Sequence, residues 1–252
     1  IIDYYIIVDT GSTDGTQKLI KELMSSYGID GEIYQEEWVN FGFNRQQALE
    51  KAIGKTEYIL IIDADEELYY EDKNWFKNIN KDSYHIKKLY SSVEYYHPAL
   101  INISHNNRCG WEWKGPVHNY ISGSKKINGG GWIDKDKIYI KSYVHGGAKS
   151  HNVSSTEKYK KDAAILLEHH KKHPKDTRTV FYLAQSYKDA GDNLNSIKWY
   201  KKRSEMGGWS EEVYYSLYSI GICKERLGRD FEKEILYDYL KAFNYSKNRL
   251  EA

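Results

Sequence analysis

The pattern of apolar residues and turns in the 252-residue chain changes near residue 150. This change restricts the possible folds more than any other feature of the sequence. Before it, short apolar runs alternate with helical patterns and with turns that contain glycine; after it, only helical patterns remain. Alternating strands and helices predict an α/β layer with a mostly parallel sheet, whereas helices alone predict a bundle or a repeat. We therefore predict an α/β domain at residues 1–150 and an all-α domain at residues 151–252.

The first half of the chain predicts strands and helices in alternation. Apolar runs and helical spacing indicate strands at 4–8, 32–35 and 58–62, and helices at 14–26 and 44–53. Residues 84–148 are rich in Tyr, Trp and Gly, and we expect them to add further strands and binding loops.

The second half predicts five helices, at 157–172, 177–190, 194–206, 210–227 and 230–246. A shift of 37 residues superposes Ala190-Gly191 on Leu227-Gly228 and Tyr200 on Tyr237. This shift is close to the roughly 34-residue period of tetratricopeptide repeats. Because the repeat is visible only twice, a plain helical bundle remains an equal alternative.

Composition excludes several classes of protein. A hydrophobic content of 40% allows a full core, and a formal net charge of +1 gives no reason to expect a nucleic-acid partner. The two cysteines, Cys109 and Cys223, lie far apart, so we expect reduced thiols and a cytoplasmic protein. We expect no membrane span, because no apolar run reaches the roughly 18 residues that one requires.

Four carboxylates follow a strand-like run in the stretch YILIIDADEE, residues 58–67. Asp63 and Asp65 stand two residues apart, so in an extended chain both side chains leave the same face. Carboxylate oxygens are the ligands that a divalent ion prefers, and such an ion often also carries substrate phosphates. The stretch therefore favours a metal that holds a nucleotide diphosphate. The alternative is a set of solvated acids that cap the turn.

A second strand-like run, IIVDTGSTDGT at residues 6–16, ends in Asp9 and a polar turn before a helix. Such a turn exposes backbone N–H groups and small hydroxyls, which suit a ribose, a base or an anion. A calcium loop is excluded because position 12 would be Ile20 instead of Glu. The glycine patterns of dinucleotide-binding and P-loop proteins are also missing.

Three motifs in this order, Ile7–Thr16, Trp38–Leu49 and Ile61–Glu66, resemble family 2 glycosyltransferases of the GT-A fold. Later segments, Gly115–His118 and Val144–Gly146, resemble landmarks of the lipopolysaccharide-glucosyltransferase-like branch of that family. The helical part, with the sequence FYLAQSY at 181–187, resembles the tetratricopeptide extension of some bacterial and giant-virus members. Family members begin with one more strand, which we expect to lie outside this sequence.

The resemblance implies an enzyme that transfers a sugar from a nucleotide-sugar, most often a UDP-sugar, with inversion at the anomeric carbon. The acceptor would be a hydroxyl of a glycan or protein, and the sugar a hexose or an N-acetylhexosamine. By position, the nucleotide-binding residues would be Asp9, Thr10, Ser12, Arg45 and Asp63.

The resemblance also implies a bound Mn²⁺ or Mg²⁺. Asp65 would hold the metal, Asp63 would contact it directly or through water, and His145 would add a third contact. His145 has an equally simple interpretation as an ordinary loop residue. The metal and Arg45 would together neutralise the charge that develops on the leaving diphosphate.

The general base is less clear from the motifs. The related branch tends to show His-Glu where this chain has His118-Asn119, and an asparagine cannot act as a base. Glu112, which lies between two tryptophans, is the first candidate to replace the missing acid, followed by Glu66 and His118. The two tryptophans could be buried on an amphipathic strand or could stack on a sugar.

A non-catalytic protein is the alternative. In that interpretation the helical repeats bind a peptide partner or a second copy of the chain, and the first domain binds nucleotide-sugar weakly or not at all. The missing acid at Asn119 favours this interpretation, whereas the presence of all four charged residues Asp9, Arg45, Asp63 and Asp65 favours an enzyme.

Overall fold

The computed structural model describes residues 2–125, 127, 129–133, 138–143, 154–228 and 231–249. The chain divides into two compact units. The first unit comprises residues 1–114 and 119–151, and the second comprises residues 115–118 and 152–252. The short segment 115–118 therefore belongs to the helical unit although it lies within the first half of the sequence.

The first unit begins with the predicted alternation of strands and helices. Its first elements are β1 (Tyr4–Asp9), α1 (Thr16–Ser26), β2 (Asp30–Gln35), α2 (Phe41–Ala52) and β3 (Tyr58–Leu60). β1 and β2 pair in parallel, with Tyr4 opposite Asp30 and Asp9 opposite Gln35. The prediction from apolar runs and helical spacing is confirmed within a few residues for each of these elements.

The rest of the first unit consists mainly of short strands. They are β4 (Glu66–Tyr70), β5 (Ser83–Tyr90), β6 (Val93–Asn102), β7 (Trp111–Lys114), β8 (Tyr120–Gly123), β9 (Gly130–Trp132) and β10 (Ile138–Ser142), with a 3₁₀ helix at Trp75–Asn78 and the one-turn helix α3 at Ser104–Asn107. The predicted α/β class is confirmed.

The strands of the larger sheet pair in mixed directions, where the sequence predicted a mostly parallel sheet. The order is β3-β6-β5-β10-β4, with β9 also paired to β5. β5 is parallel to β9 and β10 but antiparallel to β6. Only two residues separate β5 from β6, and Ser91 takes a φ of 54°. A two-residue hairpin turn requires antiparallel strands, which accounts for the difference.

Two apolar clusters hold the first unit together. One packs Leu49 of α2 against Ile101 and Trp111, with Ile6 of β1 and Ile59 of β3 on its edge. The other surrounds residues of β5, β6 and β10 that are almost completely buried, namely Ile86, Ala99, Ile138 and Ile140. Because α2, β1 and β3 share the first cluster, the residues that follow β1 and β3 are anchored to the same core.

The second unit is helical, as predicted. Its helices are α4 (Ser155–Lys172), α5 (Thr177–Asp189), α6 (Asn193–Glu205), α7 (Ser210–Leu227) and α8 (Glu232–Tyr245), and each packs on the next along the chain. Ser154, Asp176 and Asp192 cap α4, α5 and α6 by accepting hydrogen bonds from backbone N–H groups of the first turn. Within the described residues, each helix is too short or too polar to cross a lipid bilayer.

The two copies of the predicted repeat have one common feature and one difference. Gly191 and Gly228 end α5 and α7 with positive φ angles of 82° and 96°, which an L side chain rarely adopts. Tyr200 is completely buried, whereas Tyr237 is 66% exposed. Whether these helices form tetratricopeptide repeats or a plain bundle remains a prediction.

Candidate functional site

The turn after β1 is organised by the carboxylate of Asp9. Its Oδ1 accepts hydrogen bonds from the backbone N–H groups of Gly11 (3.0 Å) and Ser12 (2.9 Å) and from the side chain of Gln17 (3.0 Å). The hydroxyl of Ser12 and these donors lower the pKa of Asp9 to about 2. The carboxylate therefore stays charged and holds the loop, while Thr10 and Ser12 are exposed at the surface.

Three carboxylates, Asp63, Asp65 and Glu66, lie together after β3, and we call them the acidic cluster. One oxygen from each lies within 4.8 Å of the others. The sequence predicted that an extended strand would bring Asp63 and Asp65 together, but β3 ends at Leu60 and residues 63–66 form a turn. The Glu66 N–H donates to the Asp63 carbonyl (3.0 Å), and the Asp63 N–H donates to Glu66 Oε2 (3.1 Å). This turn is what adds Glu66 to the cluster.

Lys88 of β5 reaches the acidic cluster from the sheet, and no sequence motif had indicated this contact. Its Nζ forms an ion pair with Glu66 Oε1 and lies 4.0 Å from Asp63 Oδ2. The Lys88 side chain is 11% exposed and that of Glu66 is 2% exposed. Glu66, predicted as a possible general base, is therefore a buried partner of a lysine.

Arg45 of α2 contacts the same cluster. Its guanidinium pairs with Asp63 Oδ1 and donates through Nη1 to Asn119 Oδ1 (2.7 Å). It also lies over the ring of Trp113, 5.0 Å from the ring centroid. The arginine predicted to meet a nucleotide is thus fixed between an acid, an amide and an indole, and Asn119 belongs to the site.

Two asparagines fix the start of α2, the helix that carries Arg45. Asn40 caps the helix by accepting from the Phe43 N–H at 2.9 Å. Asn44 is buried and binds the preceding loop, accepting from the Val39 N–H (3.0 Å) and donating to the Glu37 carbonyl (2.9 Å). These contacts fix the helix start, so that Arg45 points towards the turn after β3.

One face of the β5–β6 hairpin forms a further wall beside Asp63. Lys88 is opposite Tyr95 and Ile86 is opposite His97, so these side chains share a face. Burial lowers the pKa of His97 to about 4, with a further contribution from the Lys88 charge, so its ring is neutral at pH 7. Burial raises the pKa of Tyr95, and the Asp63 carboxylate adds to this effect. Sequence reasoning missed Tyr95 and His97 because neither lies in a motif.

Glu112, the first candidate for the general base, lies on β7. Its carboxylate pairs with Lys114 at 2.9 Å, and its side chain is 46% exposed. Neighbouring residues of a strand point to opposite faces. Glu112 therefore points away from the face of β7 on which Trp113 contacts Arg45. Trp111 is 4% exposed and its indole N–H donates to the Asn102 carbonyl (2.9 Å). Trp111 is therefore a core residue and does not stack on a sugar.

His118, the third candidate, belongs to the second unit. Its ring stacks on Tyr182 with the ring centroids 4.0 Å apart, and its carbonyl accepts a hydrogen bond from Arg178 (3.4 Å). Removal from water lowers the pKa of His118 to about 4, and the charges of Lys158 and Arg178 lower it further. These contacts are those of a packing residue. His145, predicted as a metal contact, lies outside the described residues.

Comparisons with known proteins find a match to a family model and a similarity to a solved structure. Residues 3–86 match the model described as glycosyl transferase family 2. The crystal structure of S. aureus TarS 1-349 in complex with UDP-GlcNAc is similar at 13% identity and a TM-score of 0.43, over 95% of this chain and 79% of that one. No curated protein matches the sequence significantly. Asp9, Arg45 and the acidic cluster all lie within the matched residues.

Proposed function

Residues 3–86 carry the sequence of a family 2 glycosyltransferase, and from this premise we propose that the chain is a metal-dependent, inverting glycosyltransferase. It would move a hexose or an N-acetylhexosamine from a nucleotide-sugar, with UDP as the nucleotide, to a hydroxyl group of a glycan or protein. The observation that carries this proposal is the contact of Arg45 with Asp63 at the edge of the acidic cluster.

The acidic cluster fits the metal that this reaction would use. Mn²⁺ and Mg²⁺ prefer hard oxygen ligands, and the carboxylate oxygens of Asp63, Asp65 and Glu66 are already within 4.8 Å of one another. Asp65 and Asp63 would hold the ion, since Glu66 is engaged by Lys88. When bound, the metal would neutralise charge on the leaving diphosphate.

The remaining predicted nucleotide contacts have suitable surroundings. The turn after β1 exposes Thr10 and Ser12 while Asp9 keeps the backbone in place, which suits recognition of a base and a ribose. Arg45 has a fixed guanidinium next to Asp63, which suits a pyrophosphate because a planar guanidinium can bind two oxygens at once. These roles for Asp9, Thr10, Ser12 and Arg45 are part of the proposal.

Glu112 is the general base that we propose, although it leaves β7 on the face opposite to Trp113, because its carboxylate is neither buried against a lysine nor stacked on a ring. A base must come within hydrogen-bond reach of the acceptor hydroxyl. Glu66 is 2% exposed and engaged by Lys88, and the ring of His118 is stacked on Tyr182. The Glu112 side chain is 46% exposed. In the described residues it forms an ion pair with Lys114, whose side chain is 42% exposed.

The second unit has a surface that favours a binding role beside the enzymatic one. On α8, Leu236, Tyr237 and Leu240 are 65%, 66% and 49% exposed. Such a row of apolar side chains suits a peptide segment or a second copy of the chain. This role does not depend on catalysis in the first unit.

Titration calorimetry with UDP tests the proposed function. We expect UDP to bind in the presence of Mn²⁺ and to bind much more weakly after addition of EDTA. The variant Asp65→Asn should lose the metal dependence, whereas Glu71→Gln, which removes an exposed acid nearby in sequence, should behave like the wild type. UDP affinity that is equal with Mn²⁺ and with EDTA would contradict the metal assignment, and absence of binding in both would contradict the function.

A further inference from the structure

The ammonium group of Lys88 lies at the edge of the acidic cluster. It contacts Glu66 and lies 4.0 Å from Asp63, which are two of the three carboxylates in the acidic cluster. Both partners of the closer pair are nearly out of water, since the Lys88 and Glu66 side chains are 11% and 2% exposed. An ammonium and a carboxylate are thus paired side by side away from water.

The direction of Lys88 is set by the β5–β6 hairpin. The preceding residue, Lys87, points to the opposite face of β5, where it lies 3.8 Å from the exposed carboxylate of Glu94 and 5.9 Å from the ring centroid of Tyr139. Of these two neighbouring lysines, Lys88 faces the acidic cluster and Lys87 faces the opposite side of the strand. Lys87 provides a matched control for any effect of Lys88 on the cluster.

The formal charges at the site show what Lys88 changes. The three carboxylates contribute −3, and Arg45 and Lys88 contribute +2, which leaves −1. A bare divalent ion would find little net negative charge there, with one carboxylate already engaged by an ammonium. A nucleotide diphosphate brings its own negative oxygens and would complete the set of ligands.

We propose that Lys88 is the internal counter-cation of the acidic cluster and makes metal binding depend on the nucleotide diphosphate. This inference rests on the proposed function. Lys88 is a positioning residue that acts through Glu66 and Asp63, and it keeps the cluster from binding a free divalent ion tightly before the nucleotide arrives. Loss of its charge would leave a cluster of −2 that binds such an ion by itself.

A purely structural role for Lys88 would have a different consequence. Replacement of Lys88 removes the partner of a buried carboxylate, so the protein should become less stable in either case. A structural role would leave the affinity for a free metal ion unchanged or would weaken it. If Lys88 is a counter-cation, its replacement should tighten the binding of a metal ion in the absence of nucleotide, because the repulsion between ammonium and metal is removed.

The experiment is a titration of the full chain with Mn²⁺ in the absence of nucleotide, followed by electron paramagnetic resonance of the free ion. We expect Lys88→Met to bind Mn²⁺ about tenfold tighter than the wild type, the scale set by one unit charge a few ångströms from a divalent ion in water. Lys88→Arg should behave like the wild type because it retains the charge. Lys87→Met should also behave like the wild type because its ammonium faces the other side of the strand.

A second comparison keeps the inference testable if Lys88→Met does not fold. Glu66→Gln removes the buried carboxylate, and the double variant Glu66→Gln/Lys88→Met then contains no buried charge at either position. We expect the double variant to bind free Mn²⁺ more tightly than Glu66→Gln alone. The double variant should resemble the wild type, because both have a formal charge of −1 at the site.

Equal or weaker Mn²⁺ binding by folded Lys88→Met, or an equal gain in Lys87→Met, would overturn the inference. The proposed function has a separate measurement, the binding of UDP with Mn²⁺ to the wild type. If the wild type binds UDP with Mn²⁺ but Lys88→Met shows no gain for free Mn²⁺, only the role of Lys88 is refuted. If the wild type does not bind UDP with Mn²⁺, the proposed function fails first.

Discussion

The guanidinium of Arg45 contacts the carboxylate of Asp63, 18 residues later in the chain, and in this way joins the start of α2 to the turn after β3. The same guanidinium donates to Asn119, 74 residues away. A planar group with several N–H donors can hold two acceptors in fixed directions, whereas an ammonium acts as a point charge. Arg45 is therefore oriented before any ligand arrives.

This orientation predicts that charge alone cannot replace Arg45. Arg45→Lys keeps the positive charge but loses the paired donors, so we expect UDP to bind about tenfold more weakly in the presence of Mn²⁺, and Arg45→Ala to bind still more weakly. Titration calorimetry measures both. The control is Lys51→Met on the same helix, which removes a cation that pairs with Glu36 at 3.3 Å. UDP binding by Arg45→Lys at the wild-type level would contradict the role of the guanidinium.

Local sequence was sufficient to single out Asp9, Arg45, Asp63 and Asp65 as candidate site residues, and of these Arg45 and Asp63 are in contact. Each of the four lies in a short motif next to a strand end or a helix start, where nearest neighbours decide the backbone. Lys88 could not be predicted in this way. It reaches the acidic cluster only because β5 lies inside the mixed sheet, and no local pattern marks which of two neighbouring lysines faces the cluster.

The segment Gly115–His118 illustrates a different limit of sequence reasoning. Its position in the chain favours the first unit, but Val117 packs among Ala163, Leu166 and Leu183 of the helical unit. Asn119, the next residue, contacts Arg45 in the first unit. The neighbouring residues His118 and Asn119 thus belong to different units. Tertiary packing decides this assignment, and a local motif does not encode it.

Glu112 can be tested as the general base by removing its charge. If it takes the proton of the acceptor hydroxyl, Glu112→Gln should lower kcat by about 10²- to 10⁴-fold and leave UDP binding with Mn²⁺ unchanged. Turnover with a set of UDP-sugars and calorimetry give the two values. Glu94→Gln, which removes a carboxylate that is 65% exposed, serves as the control. Unchanged kcat in Glu112→Gln would remove Glu112 as the base.

His118 should affect stability through pH. Its folded-state pKa is about 4, below the ordinary value near 6.5, so the unfolded chain binds more protons between these two values. The contribution of His118 is therefore fully present above about pH 6.5 and is lost as the pH falls towards 4. His118→Phe keeps an aromatic ring against Tyr182 and removes the titration.

We expect the fall in unfolding free energy between pH 6.5 and 4 to be smaller in His118→Phe than in the wild type by about 1 kcal/mol, because water still reaches part of the ring. Urea unfolding at several pH values measures this difference. His169→Phe, which replaces another histidine whose pKa burial lowers, tests whether the effect is specific to His118. A loss of turnover in His118→Phe without a change in the pH dependence of stability would indicate a catalytic role instead.

The stability of the second unit should depend on the ion pair of Arg203 and Glu212. Arg203 is completely buried and donates to Glu212 Oε2 through Nε (3.1 Å) and Nη2 (2.9 Å), and through Nη1 to the Gly207 carbonyl (2.7 Å). Glu212→Gln would leave a buried guanidinium without its counter-charge. We expect the unfolding free energy to fall by about 3–5 kcal/mol.

The neighbouring acid provides the comparison for this last prediction. Glu211 pairs with Arg249 on the surface, where its side chain is 50% exposed. Because water and salt screen such a pair, Glu211→Gln should change the unfolding free energy by less than about 1 kcal/mol. Urea unfolding of both variants, followed by circular dichroism at the helix band, gives the two values. Equal effects of the two substitutions would mean that burial of Arg203 does not determine the stability of these helices.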